Sequence, residues 1–158
     1  MSKKKTVLTY LAIIGITLVG AGLSSIFVNL GMDEYNTLAK PPLSPPNILF
    51  PIAWTVFYLI MSISFSYIYL NSDKNQRKAA TKIYFLQLAV NLLWPLFFFT
   101  LGLYFFSYLW LTLLIVLVIS MIIIFYDISK PAALVNLGYL AWLIFASNLN
   151  LGVFSLNI

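Results

Sequence analysis

The chain has no cysteine and no histidine among its 158 residues, and only four acidic residues. The first two absences exclude disulfides, thiolate nucleophiles, histidine-based catalytic triads and zinc sites built from Cys and His. No metal site is expected. The usual protein axial ligands of haem are missing too, so a tetrapyrrole bound here would be held by shape, stacking and hydrogen bonds. The acids, Asp33, Glu34, Asp73 and Asp127, fall in loops or at the ends of apolar stretches. Proton and ion relays across a membrane rest on ionisable groups inside it. None is visible, and a proton-coupled pump is not expected.

Charge of either sign is scarce: 8% of residues are charged and 62% hydrophobic, with a mean hydropathy of +0.98. A soluble domain carries about a quarter charged residues. The composition is that of an integral membrane protein. A bilayer core about 30 Å thick needs about 20 apolar residues per helix, and the charges divide the chain into five such spans, roughly 6–30, 48–70, 79–100, 104–126 and 131–154. The expected fold is a single all-α domain, a five-transmembrane-helix bundle over residues 1–158, with a loop at 31–47. Lys3, Lys4 and Lys5 followed by an apolar run resemble a signal peptide. The run is longer than a signal sequence requires and is read as the first span.

Basic residues set orientation, because Lys and Arg near span ends stay on the cytoplasmic side. With the N-terminus inside, the inner segments hold Lys3, Lys4, Lys5, Lys74, Arg77, Lys78, Lys82 and Lys130, and the outer segments hold only Lys40. The expectation is therefore a cytoplasmic N-terminus, an outer C-terminus and a bacterial cell membrane. The net charge of +5 serves topology and anionic lipid headgroups, with no need to invoke nucleic acid.

The loop after the first span is rich in proline: Pro41, Pro42, Pro45 and Pro46 lie within KPPLSPP, before a helix carrying Trp54 and Tyr58. Proline fixes φ and has no N–H to donate, so this segment is stiff and suits a lid. Trp54, Tyr58, Met61 and Phe65 form a stripe that taken alone reads as core packing. In the third span Gln87, Asn91 and Trp94 fall at i, i+4 and i+7 and share a face. An amide in hydrocarbon without a partner costs several kcal/mol, so that face meets protein, ligand or water. For Gln87 the reading is a bond between helices; for Asn91 a helix bond and a ligand contact stand equal. Trp142, Ala146, Leu149 and Asn150 repeat the arrangement in the fifth span. Ala146 leaves room for a guest or permits close packing. Gly15, Gly20, Gly22, Ser24 and Ser25 give the first span a small-residue surface for packing within the bundle or for a dimer seam. Pro95 should kink the third span beside Trp94, and Gly138 should loosen the fifth. Tyr10, Tyr67, Tyr69, Tyr104 and Tyr108 are read as interfacial anchors.

Three blocks resemble the TspO/translocator protein family, also called tryptophan-rich sensory proteins or peripheral-type benzodiazepine receptors. Leu38 to Tyr58 is similar to the family's L-x-K-P-x-x-x-P-P then F-x-x-x-W-x-x-L-Y; Gln87 to Phe98 to its Q-x-x-x-N-x-x-W with a following Phe pair; Tyr139 to Asn150 to its Y-x-x-W-x-x-F-A-x-x-L-N. The resemblance implies a bundle, often a homodimer, with a cavity for porphyrins, haem-related pigments, sterols and drug-like molecules. Carried over by motif position, Trp54, Tyr58, Asn91, Trp94, Trp142 and Ala146 would line it, and Tyr35 with Lys40, Pro41, Pro42, Pro45 and Pro46 would roof it. Glu34 stands where the family often has Trp, and Gly138 where it commonly has Pro. No basic residue follows Lys130, so the family's sterol pattern at the end of the fifth helix is incomplete. The implied function is a receptor or sensor for a porphyrin or related tetrapyrrole, with no cofactor required and membrane lipid as surroundings. Two alternatives follow from the same resemblance: a light- and oxygen-dependent porphyrin-degrading enzyme with Trp54 and Trp142 as reactive rings, and a transporter of the same ligands.

Overall fold

The computed structural model describes residues 3–158 and contains only helices and their connections among them. Five apolar crossings are formed by α1 (Lys3–Thr37), α2 (Leu49–Asn71), α3 (Lys74–Pro95) with a π-helix (Leu96–Thr100), α4 (Tyr104–Tyr126), and α5 (Lys130–Leu134) with α6 (Leu137–Leu156). The all-α five-span bundle read from composition is the observed architecture. The protein is an integral membrane protein.

Local chemistry accounts for the element ends. Asp73 caps α3, accepting from the N–H groups of Asn75 (2.8 Å) and Gln76 (2.9 Å), while the Gln76 side chain accepts from the Asp73 N–H at 3.1 Å. This reciprocal box satisfies donors the first turn leaves free. The connection from α1 to α2 is shorter than the expected 31–47 loop, because α1 continues to Thr37. Asp33 and Glu34 therefore lie in its last turns, where no apolar run signals a helix but no proline interrupts one.

The expected distortion at Pro95 is present as a change of winding rather than a simple bend. Pro95 has no N–H for its helix bond, and the next five residues form a π-helix closed by Leu101 N–H to the Leu96 carbonyl at 2.9 Å. The wider turn places Phe98 and Phe99 both inside the bundle. The fifth crossing breaks at Val135–Asn136, before Gly138, which is helical. Asn136 is fully buried and its amide donates to the Ser64 hydroxyl at 2.9 Å and to the Ala132 carbonyl at 3.0 Å. A buried amide bonding its own preceding turn competes with the helix.

Small residues set how closely α1 approaches α3. A Cβ on Gly20 would stand 2.7 Å from a Leu92 methyl, and one on Gly31 would stand 1.8 Å from the Phe99 carbonyl oxygen. Ser24 donates to the Leu92 carbonyl at 2.7 Å. Gly20 and Ser24 of the small surface thus pack within the bundle, while Gly15, Gly22 and Ser25 stay exposed. At the lysine-rich end the core closes on rings: Phe65 stacks on Tyr84 with centroids 4.1 Å apart and planes 11° apart.

Candidate functional site

A cavity of about 440 Å³ opens between α1, α2 and α3 near the proline-loop end. That volume lies in the range of small-molecule sites, about 300–1,000 Å³. Trp54 and Tyr58 of α2 face it, with Asn91 and Trp94 of α3. The opposite wall is α1, through Ala21, Gly22, Ser25, Val28 and Met32. This wall is the part the sequence reading missed. The glycines and serines were visible, but a small-residue stripe reports close approach and empty space with the same letters. Gly20 and Ser24 touch α3, whereas a Cβ on Gly22 would meet nothing within 4 Å.

Aromatic rings give the cavity a flat, apolar side. The Trp54 and Trp94 centroids are 6.0 Å apart, Trp54 stacks on Tyr58 at 5.9 Å, and Trp94 stacks on Phe98 at 5.2 Å. Offset ring contacts of this kind hold side chains in place and present π-faces to a guest. Trp94 is further fixed by donating from Nε1 to Asn150 Oδ1 at 3.1 Å, which also accepts from Ser107 at 2.9 Å. Asn150 in turn donates to the Tyr104 carbonyl at 2.7 Å.

Behind the rings runs a polar chain across three crossings. Tyr58 donates to Asn91 Oδ1 at 3.0 Å, the Asn91 amide donates to the Tyr139 hydroxyl, and Tyr139 donates to Gln87 Oε1 at 3.2 Å. Gln87 Nε2 points to Met61 Sδ at 3.4 Å. Gln87 therefore bonds between helices, as expected. Asn91 makes the helix bond weighed for it, its amide committed to two tyrosines, and it also lines the cavity. Tyr139 belongs to this polar chain; the sequence marks it only as the first residue of a motif, because a single Tyr carries no signal of its bonding partner.

The remaining expected residues are distributed differently. Tyr35 and Ala146 line a narrow crevice of about 20 Å³ beside the cavity, together with Ser44, Phe50, Trp94 and Phe98. Trp142 lines neither space. Its ring stands behind Trp54, perpendicular at 86° with centroids 6.3 Å apart, and against Phe50 and Phe57 at 6.1 Å each. The cavity takes its facing wall from α1, while the fifth span reaches the crevice through Ala146, Leu149, Asn150 and Val153.

The proline loop is anchored at both sides of the crevice. Asn157 accepts from the Ala39 N–H at 3.0 Å and donates to the Ala39 carbonyl at 2.9 Å. Pro41 presses on Gly152 so closely that a Cβ there would lie 2.3 Å from Pro41 Cγ. Lys40 Nζ sits 4.5 Å from the Tyr35 ring centroid, a cation–π contact. Asn47 donates to Asn36 Oδ1 at 2.9 Å, closing the loop onto the end of α1. Of the loop residues, Ser44 reaches the crevice, while Pro42, Pro45 and Pro46 line neither the crevice nor the cavity.

Comparison with known proteins identifies the family. The family model described as "TspO/MBR family" matches residues 12–156. The chain is 32% identical over 155 residues to "Tryptophan-rich protein TspO" of Chlorobaculum tepidum, covering 97% of this chain and 98% of that one. It is 33% identical over 157 residues to the protein of the same name from Archaeoglobus fulgidus, covering 99% of each. "Translocator protein" of Ovis aries is 30% identical over 143 residues, with 87% of this chain and 85% of the relative covered. A match over nearly the whole length, on a five-crossing bundle whose aromatic helices meet at one cavity, places the chain in the TspO/MBR family.

Proposed function

We propose that the protein is a membrane receptor that binds a porphyrin or related flat tetrapyrrole in the cavity between α1, α2 and α3. The observation that carries this reading is the pairing of a half-buried Trp54 ring with a wall of small α1 residues across about 440 Å³. A planar guest would stack on Trp54 and Trp94 while its edge meets Asn91 and the hydroxyl of Ser25. With no Cys or His in the chain, stacking and hydrogen bonds supply the hold. The basic residues gathered at one end support a cytoplasmic N-terminus and an outer proline loop.

The test is a titration of purified protein with protoporphyrin IX in the dark, followed by pigment absorbance. Saturable binding is expected, weakened about tenfold or more when Ser25→Trp fills the cavity from the α1 side. Equal affinity in wild type and Ser25→Trp, in a variant that keeps its helical circular dichroism, would remove the cavity from this reading. Illumination of the complex supplies the second arm. Pigment loss beyond that in detergent alone would replace the receptor with the degrading enzyme.

A further inference from the structure

At the lysine-rich end a second recess lies apart from the cavity. It is a groove of about 460 Å³ walled by Leu8 and Ala12 of α1 and by Thr81 and Phe85 of α3, with Phe65 and Tyr69 of α2 as its floor. The two recesses are separated by Thr17, whose hydroxyl meets the Tyr84 hydroxyl at 2.6 Å, and by the Phe65–Tyr84 stack. A tetrapyrrole in the cavity would not extend into the groove.

The rim of the groove is cationic from both walls. Lys5 lies three, four and seven residues before Leu8, Thr9 and Ala12, so it continues the α1 wall by one turn. Lys74 and Lys78 lie seven and three residues before Thr81 and continue the α3 wall in the same direction. Arg77 covers the floor, its guanidinium carbon 5.0 Å from the Tyr69 ring centroid. One Arg77 nitrogen donates to the Ser72 carbonyl at 2.9 Å, while its enclosed Nε has no partner. The acid nearest this rim in sequence, Asp73, is occupied by the backbone N–H groups of Asn75 and Gln76. With Asp73 counted, the rim has one negative charge against four positive ones and stays net cationic.

An apolar trough running along the membrane normal, crowned by cations, has the charge and polarity order of one lipid molecule. We propose that this groove binds an anionic phospholipid, an acyl chain lying on Tyr69 and Phe85 and the phosphate held among Lys5, Lys74, Arg77 and Lys78. Long lysine stems cover the upper chain while their ammonium groups reach headgroup depth, and a guanidinium suits a phosphate oxygen pair. A zwitterionic lipid fills the same trough but brings its own cation to the rim, so the site discriminates by headgroup charge.

Native mass spectrometry of the full chain in detergent tests this, using an equimolar mixture of dioleoyl phosphatidylglycerol and dioleoyl phosphatidylcholine. The expected result is a preference of about tenfold or more for phosphatidylglycerol in the first bound lipid. Lys5/Lys74/Lys78→Gln should reduce that preference to about twofold or less, while Lys3/Lys4/Lys130→Gln, the same charge change at lysines outside the four cations that hold the phosphate, should leave it in place. Thr81→Trp, which fills the trough and changes no charge, should remove the first bound lipid of either kind. Equal binding of the two lipids, equal losses in the two lysine triples, or full phosphatidylglycerol binding by a folded Thr81→Trp would each overturn the proposal. Both triples alter exposed side chains only, so their comparison stands independently of how Thr81→Trp folds.

Discussion

Two aromatic clusters built around α2 and the third crossing behave in opposite ways. Toward the lysine-rich end, Phe65, Tyr84 and Phe125 are at most 1% exposed and lie in near-parallel layers. Toward the proline loop, Trp54, Trp94 and Phe99 border an opening. Composition does not separate the clusters, since both are stripes of large rings at helical spacing. The facing residues of α1 do. Ile13 and Thr17 stand near the closed cluster, and Thr17 bonds to Tyr84. Ala21, Gly22 and Ser25 face the open one. Rings border open space where the opposite helix is too small to reach them.

The largest expected effect comes from emptying the closed cluster. Phe65→Ala should destabilise the bundle by about 3 kcal/mol, the low end of the range for a core Phe, because lipid already shields the unpacked ring from water. Trp54→Ala should cost less, since its ring already borders a void. Thermal unfolding of both variants in one detergent checks the order, and equal losses would break the comparison. Next comes the contact that fixes the distance of α1. Gly31→Ala drives a methyl into the Phe99 carbonyl and should cost about 1–3 kcal/mol by overpacking, with weaker pigment binding as α1 shifts.

A smaller effect is expected at the loop. Asn157→Ala removes both bonds to Ala39 and should lower stability by about 1 kcal/mol or less, these groups being near the polar end of the bundle. Stopped-flow dissociation of protoporphyrin IX should become several-fold faster if loop opening limits release; an unchanged rate would show that ligand leaves past α1. The smallest change is expected at Trp142→Phe. Its ring acts through Trp54 rather than on the cavity, so affinity should stay within about twofold. A loss matching that of Trp54→Phe would put Trp142 back on the wall.

The architecture is legible in the sequence: five runs of membrane length, divided by charge, admit few arrangements. The polar face of α3 was legible too, because Gln87, Asn91 and Trp94 recur at helical spacing and two of them are costly to bury alone. Tyr139 was hidden, since its role depends on Asn91 two crossings away. So was the break at Asn136, which exists because Ser64 and the preceding carbonyls compete for its amide. Asn157 gave no warning either. Near the end of the chain, an amide looks like any surface residue until Ala39 arrives beside it.

By itself the sequence determined that the protein spans a membrane five times, that one connection is stiff, and that chemistry needing Cys or His is absent. Each of these follows from composition and local bonding, which travel with the chain. Tertiary structure alone decided which aromatic rings face space. That depends on where α1 approaches α3, and the approach is set by Gly20, Ser24 and Gly31 against Leu92 and Phe99, contacts between residues far apart in the chain. Empty volume is a property of a pair of surfaces, and no single stretch of sequence contains both.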